Sequence, residues 1–130
     1  MQVMTRTLCT LLLLCAMALP AASERPRPLG WAMDALRSGD FDGAARIAER
    51  DGKVAEDVIL WHRLRAQEGS YEQVLDFITR RSDWPGMPYL RRRSEPVVIK
   101  QSDAEILKFF TDVPAQTPRG VLAHAKALSA

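Results

Sequence analysis

The apolar residues of this chain follow a helical spacing that repeats along the sequence. Three landmarks recur at an offset of thirty positions, so that Trp31, Gly39 and Phe41 match Trp61, Gly69 and Tyr71. Downstream of each glycine, apolar residues fall at positions i, i+1 and i+4. Each copy therefore predicts a helix, a tight turn and a second helix. One such hairpin cannot bury its own apolar face, so the copies are expected to stack as a right-handed α-superhelix, or solenoid, in an all-α chain.

The first half of the chain predicts four helices. The first begins near Leu29 and ends at Gly39, since glycine tolerates the left-handed dihedrals of a helix end. Asp40 caps the second helix, from Phe41 to Asp51, and Gly52 ends it. Apolar residues mark one face of the third helix: Val54, Val58, Trp61 and Leu64. We therefore expect Trp61 to be a core residue.

The fourth predicted helix runs from Tyr71 to Arg81, with Ser70 as its cap. Three apolar side chains are expected to face inward: Val74, Leu75 and Ile78. After it, the segment from Trp84 to Met87 suits a type II turn, with proline and then glycine at its centre. Pro88 fits the first turn of a fifth helix, and Pro96 should end or kink that helix at Glu95.

Two further helices are expected before Ala130. Ser102 and Asp103 cap a sixth helix, a looser third copy of the repeat. Thr117 and Pro118 start a seventh, whose inward residues are predicted to be Val121, Leu122, Ala125 and Leu128. A solenoid normally finishes with a polar capping unit. Because this chain stops inside an apolar helix, we expect the repeat domain, residues 24–130, to be incomplete at its C-terminus and followed by more protein.

Residues 1–23 have the features of a secretory signal peptide. Arg6 precedes an apolar run from Leu8 to Leu19, and Pro20 closes that run before it could span a membrane. Cleavage is expected near Ala22 or Ser23, with a site after Ala18 as the alternative. We therefore expect export, with no stable membrane insertion after cleavage. Cys9 and Cys15 both leave with this segment, which excludes disulfides from the mature chain.

Charge and composition point to no cofactor. Removal of the signal leaves 17 basic against 16 acidic residues, a balance that favours no particular partner. His62 and His124 are the only histidines, and they lie too far apart to suggest a zinc site. No phosphate loop, dinucleotide fingerprint or nucleophile elbow occurs. We expect no metal and no cofactor, and acidic pairs such as Asp40 and Asp42 are explained by helix capping.

The remaining candidate chemistry is a basic and aromatic cluster around the fifth helix. Its members are Arg80, Arg81, Trp84, Tyr89, Arg91, Arg92 and Arg93. Arginines beside exposed aromatic rings can hold an anionic sugar polymer or a phosphate backbone. The export signal disfavours nucleic acid. The alternative is a solvated helix face, with Trp84 and Tyr89 buried at a junction between repeats.

Three runs of residues resemble a known family. Gly39 to Ala44, Val58 to Arg65 and above all Asp83 to Arg92 are similar to the N-terminal α-superhelical part of soluble lytic murein transglycosylases of Gram-negative bacteria. The resemblance covers essentially all of the mature chain. The helical repeat alone would equally suit tetratricopeptide-like proteins.

The resemblance implies a scaffold that lacks its own catalytic group. In that family a separate lysozyme-like domain cleaves peptidoglycan, with a glutamate in a Glu-Ser motif acting as acid and then base. Here Ser23 precedes Glu24 and Ser94 precedes Glu95, the reverse order, so no catalytic residue is assigned. The expected partners are peptidoglycan glycan strands and other cell-wall proteins. The alternative is a free-standing periplasmic tetratricopeptide-like module that binds another protein on its concave face.

Overall fold

The computed structural model describes residues 27–130, so the predicted signal peptide lies outside its range. Between those limits the chain contains α-helices and one short 3₁₀ helix, Glu49–Asp51, and no strand. The prediction of an all-α chain is confirmed for this part. The α-helices are α1 (Pro28–Arg37), α2 (Phe41–Ala48), α3 (Lys53–Arg65), α4 (Tyr71–Arg80), α5 (Met87–Val98), α6 (Asp103–Phe109) and α7 (Pro118–Ser129).

The predicted helix starts are confirmed by their side-chain hydrogen bonds. Asp40 Oδ1 accepts from the Gly43 N–H at 2.8 Å. Ser70 accepts from the Gln73 N–H at 3.3 Å, and the Gln73 side chain accepts from the Ser70 N–H at 3.0 Å. Ser102 and Thr117 cap α6 and α7 in the same way. These bonds satisfy backbone donors that a helix start otherwise leaves free.

One predicted helix end is wrong, and one of the two alternatives for another is excluded. α2 ends at Ala48 and tightens into the 3₁₀ helix, whereas the pattern predicted one helix to Asp51. α5 does not end at Glu95 but continues through Pro96 to Val98. Glu95 and Val98 are both buried while Pro96 is exposed. Pro96 lacks the N–H that would complete one backbone hydrogen bond of the helix. Packing of the buried side therefore keeps the helix continuous at this position.

The two turns of the repeat are less alike than their glycines suggest. After α1, Gly39 has φ +83°, and the backbone bonds of a Schellman motif close the helix. After α3 the same bonds form, but the residue with positive φ is Gln67, at 68°. Gly69 instead makes room for Leu64, whose Cδ2 would lie 2.2 Å from an added Cβ. The second turn is therefore two residues longer than the first.

Two clusters of buried residues form the core, and α3 contributes to both. The smaller, between α1, α2 and α3, is rich in alanine: Ala32, Ala44, Ala48, Ala55 and Ile59. The larger joins α3 to α7 and contains Leu64, Tyr71, Val74, Phe77, Ile78, Leu90, Val98, Ile106, Phe109, Phe110 and Ala127. Neighbouring helices pack together, and α1 also contacts α3, α3 contacts α5, and α5 contacts α7.

The predicted inner faces of α3 and α7 are partly wrong. On α3, Val54 is 63% exposed and Trp61 is only half-buried, while Ala55 and Ile59 are buried. Asp57 turns inward to meet its arginine partners, which rotates the buried face away from Val54.

On α7 the large apolar residues point outward: Val121 is 55%, Leu122 57% and Leu128 68% exposed, and Ala125 is also exposed. Small residues, Gly120 and Ala127, form the contact side, because α7 begins directly against the buried Glu95. Among residues 27–130, every helix falls short of the length and hydrophobicity that crossing a membrane requires.

Candidate arginine and aromatic surface

Arg80 and Arg81, from the predicted cluster, are bound to a buried carboxylate. Asp57 on α3 is 1% exposed. Its Oδ1 accepts from Arg80 Nη2 at 3.1 Å, and its Oδ2 accepts from Arg81 Nε at 2.7 Å. Burial alone would raise the pKa of Asp57, but the hydrogen bonds from the two arginines outweigh it and lower that pKa. These arginines therefore have a structural partner inside the fold.

Trp84 and Arg91 also face the protein. The Trp84 ring lies edge-on to the buried Phe77 ring, with centroids 5.7 Å apart, and the Arg81 guanidinium lies 5.3 Å from the Trp84 centroid. Arg91 stacks over the Phe109 ring at 5.4 Å, on the side of α5 that meets α6. For Trp84, the alternative of a residue packed at a junction fits the structure.

The remaining three residues of the cluster share one face of α5. Tyr89, Arg92 and Arg93 are spaced i, i+3 and i+4, which places them side by side on a helix. Tyr89 is 47% exposed and Arg92 is exposed, whereas Arg93 is half-buried. For Tyr89, burial at a junction is therefore wrong.

The end of α3 adds two residues to this face. The Arg65 guanidinium lies 4.2 Å from the Trp61 ring centroid and 5.0 Å from the Tyr89 centroid, so it is within cation–π range of both rings. Cation–π contacts of this kind are worth roughly 0.5–2 kcal/mol each. Trp61 Nε1 and Arg65 Nε are buried and have no hydrogen-bond partner among the described residues. We call Trp61, Arg65, Tyr89, Arg92 and Arg93 the arginine and aromatic surface.

Sequence reasoning missed Arg65 as part of this surface. A signal was available, because Trp61 and Arg65 are four residues apart and therefore neighbours on one helix face. Their approach to Tyr89 depends on the packing of α3 against α5, which the local sequence does not contain.

Glu95 is a second buried carboxylate, and sequence reasoning did not predict its burial. It is 1% exposed. Its Oε1 accepts from the Gln116 N–H at 2.5 Å, and its Oε2 accepts from the Thr117 N–H at 2.9 Å and from the Thr117 hydroxyl. All these donors hold the start of α7. Glu95 is therefore an anchor between two helices and is closed off from any substrate.

The described residues offer binding groups more than reactive ones. Burial lowers the pKa of His62, and the nearby charge of Arg65 lowers it further. Both effects favour the neutral ring. From residue 27 onward, no group of three or more histidine, cysteine or acidic side chains could hold a metal ion. What the arginine and aromatic surface can do is present guanidinium donors and ring faces to an anionic or sugar-containing partner.

Comparison with known proteins leaves these side chains as the guide to function. Among family models, curated proteins and solved structures, none matches the chain.

Proposed function

We propose that this chain is the N-terminal superhelical scaffold of a periplasmic lytic transglycosylase and that it contacts peptidoglycan without cleaving it. The observation that carries the proposal is the arginine and aromatic surface, formed where the segment from Asp83 to Arg92, the strongest part of the family resemblance, packs on α3. Exposed Tyr89 can stack on a sugar ring, and Arg92 can pair with a carboxylate of the polymer.

The superhelical arrangement is part of this proposal. Supporting it, the odd-numbered helices contact one another in sequence, α1 with α3, α3 with α5 and α5 with α7, while α2, α4 and α6 lie between them along the chain. Repeat proteins of stacked hairpins have this order of nearest-neighbour contacts. Export to the periplasm completes the proposal, and N-terminal sequencing of the native protein should find a start close to Ser23.

Binding to purified peptidoglycan in a sedimentation assay tests the proposed contact. We expect the chain to sediment with peptidoglycan at low salt and to be released as ionic strength rises, because exposed charges are screened. Tyr89→Ala and Arg92→Gln should each weaken binding, by about threefold or more. Arg46→Gln removes the same charge from an exposed site on α2 and should bind as the unaltered protein does.

No anhydromuropeptide should be released at any protein concentration, since the chain lacks the Glu-Ser motif. Salt-independent binding, or equal losses for Arg92→Gln and Arg46→Gln, would count against the arginine and aromatic surface as the contact.

A second candidate, a tetratricopeptide-like module that binds another protein, is favoured by a different observation. Val121, Leu122 and Leu128 expose apolar side chains on one helix, α7. Exposed apolar patches often mark protein-binding sites. If the chain failed to bind peptidoglycan while Leu122→Lys abolished capture of a specific cell-wall protein, this second function would replace the first.

A further inference from the structure

A cavity of about 370 Å³ lies where the end of α3 and the start of α4 meet the second half of α5. Its volume is at the lower end of the range found for small-molecule sites. Its walls are Leu64, Gln67, Gly69, Val74, Arg93, Ser94, Pro96, Val97 and Lys100. The cavity adjoins the arginine and aromatic surface through Arg93 but is otherwise formed by different residues.

Two cationic side chains line this cavity and lack an acidic partner. Arg93 lies on α5, and Lys100 lies two residues beyond the end of that helix. Within the described part of the chain, no carboxylate oxygen lies within 4.0 Å of either side chain's nitrogens, since every ion pair there involves other cations. An unpaired cation at a cavity wall attracts an anionic group.

Hydrogen bonds to neighbouring residues hold both the side chain and the backbone of Arg93. Its Nε donates to the carbonyl oxygen of Arg65 at 2.9 Å, and the Gln67 side chain donates to the carbonyl oxygen of Arg93 at 3.0 Å. The bond through Nε leaves the two terminal nitrogens of Arg93 for a ligand. A donor fixed before binding loses less conformational entropy when a ligand arrives.

The rest of the wall has an apolar side beside the polar Gln67 and Ser94. Pro96 and Val97 supply the apolar surface that a ligand can reach, since Leu64 and Val74 are each only 2% exposed. Such a wall suits methylene groups, which gain from leaving water. A ligand that matches both parts has a negative head and a short aliphatic body.

We propose that this cavity binds a carboxylate carried on a short aliphatic chain, either as a free small acid or as the C-terminal residue of a peptide. The head group pairs with Arg93 and Lys100, and the chain lies against Pro96 and Val97. This inference goes beyond the scaffold function and does not depend on it.

Titration of the whole protein with acetate, butanoate and hexanoate, followed by amide NMR shifts, tests the proposal. Affinity should rise along the series by up to about fourfold for each added methylene, the ratio that ~0.8 kcal/mol per buried CH₂ gives. Hexanamide, which has the chain but no charge, should not bind. Shifts should centre on Gly69 and Val97. Absence of saturable hexanoate binding at low salt would overturn the proposal, as would equal affinity for acetate and hexanoate.

Two substitutions that each remove one positive charge distinguish binding in the cavity from general attraction to a basic protein. Lys100→Gln should weaken hexanoate by about fivefold or more, as expected for the loss of a charged hydrogen bond. Arg46→Gln, on the exposed side of α2, should change it by less than about twofold. Equal losses for the two variants would overturn the proposed site. If melting shows that Lys100→Gln unfolds, Arg93→Lys gives the second test, because it keeps the charge but loses the paired donors.

A peptide distinguishes the two sources of the carboxylate. Ala-Ala-Leu with a free C-terminus is compared with its C-terminal amide. Binding of the free acid alone would support a peptide end as the ligand, while binding of hexanoate but neither peptide would support a free small acid. Binding of the amide as tightly as the acid would contradict the role of the carboxylate.

Discussion

The carboxylate of Asp57 is buried and shared between two arginines. Its removal therefore tests how much this buried ion pair contributes to the free energy of unfolding. Asp57→Asn should lower the free energy of unfolding by about 2 kcal/mol, because the two carboxylate oxygens accept three charge-assisted hydrogen bonds and asparagine keeps only one uncharged acceptor oxygen. The loss is limited because both arginines can still reach water. Chemical denaturation measures this change.

Asp76→Asn is the matched control. Asp76 also pairs with Arg80, at 2.8 Å, but its side chain is 55% exposed. Its replacement should cost less than about 0.5 kcal/mol, as for most exposed ion pairs. Similar small losses at both positions would show that the bond to buried Asp57 adds little stability.

The same residue makes stability depend on pH. The pKa of Asp57 is lower in the fold than in the unfolded chain, where an aspartate has a pKa of about 3.9. Its contribution is therefore fully present above that value and is lost as the pH falls through the lower folded pKa. From pH 5 downward to about 2, the unaltered protein should lose more unfolding free energy than Asp57→Asn. Parallel stability curves for the two proteins would contradict this assignment.

The backbone conformation of a residue could be predicted best where it depends only on neighbours in the sequence. Gly39 was predicted as a left-handed helix end and has that conformation, because glycine alone explains the turn. Gln67 could not be predicted in the same conformation, since a glutamine rarely adopts it. There the Schellman bonds and the hydrogen bond from Gln67 to Arg93 fix the backbone, and both depend on how α3 ends against α5.

At the scale of helices, Gly30 and Gly120 form a natural comparison. Each is the third residue of a helix that begins with proline. An alanine methyl at Gly30 would meet no atom within 4 Å, whereas at Gly120 it would lie 2.3 Å from Glu95 Oε2. Gly30→Ala should leave stability unchanged or raise it by up to about 1 kcal/mol through helix propensity.

Gly120→Ala should instead destabilise the protein by about 2 kcal/mol, because it pushes α7 away from the carboxylate that anchors it. Thermal melts of the two variants beside the unaltered protein give the comparison. A gain in stability for both would mean that Glu95 does not hold the start of α7 as closely as the contacts indicate.

Helix starts could be predicted from the sequence, but the buried faces of two helices could not. Capping by Asp40 or Ser70 involves residues within one turn, so the pattern contains all the partners. The inner face of α3 depends on Asp57 meeting arginines from α4 and its end, and that of α7 depends on Glu95. Those partners are more than twenty positions away along the chain.

At the scale of the whole molecule, the predicted arginine cluster separates into several environments. Successive helical residues point about 100° apart, so Arg91, Arg92 and Arg93 cannot all share one surface. Arg91 meets Phe109, while Arg92 and Arg93 lie with Tyr89. The sequence predicted these residues as one cluster, whereas their division among different environments follows from packing.

The exposed apolar residues of α7 should promote self-association. Sedimentation at increasing concentration should show dimers or larger species, and a double change, Leu122→Lys with Leu128→Lys, should shift the protein toward monomer. Val54→Lys is the control, because Val54 is equally exposed but lies on α3, far along the chain. A protein that stays monomeric at high concentration would contradict this expectation.

The position of α3 in both core clusters has a consequence for how the fold opens. Ile59 belongs to the alanine-rich cluster and Leu64 to the larger one, so α3 cannot unfold without disturbing both. The side chains that α1 and α2 themselves bury fully in that cluster are alanines, which bury little area each. Native-state hydrogen exchange should therefore resolve a partial opening in which the amides of α1 and α2 exchange while those in the second half of α3 stay protected until global unfolding.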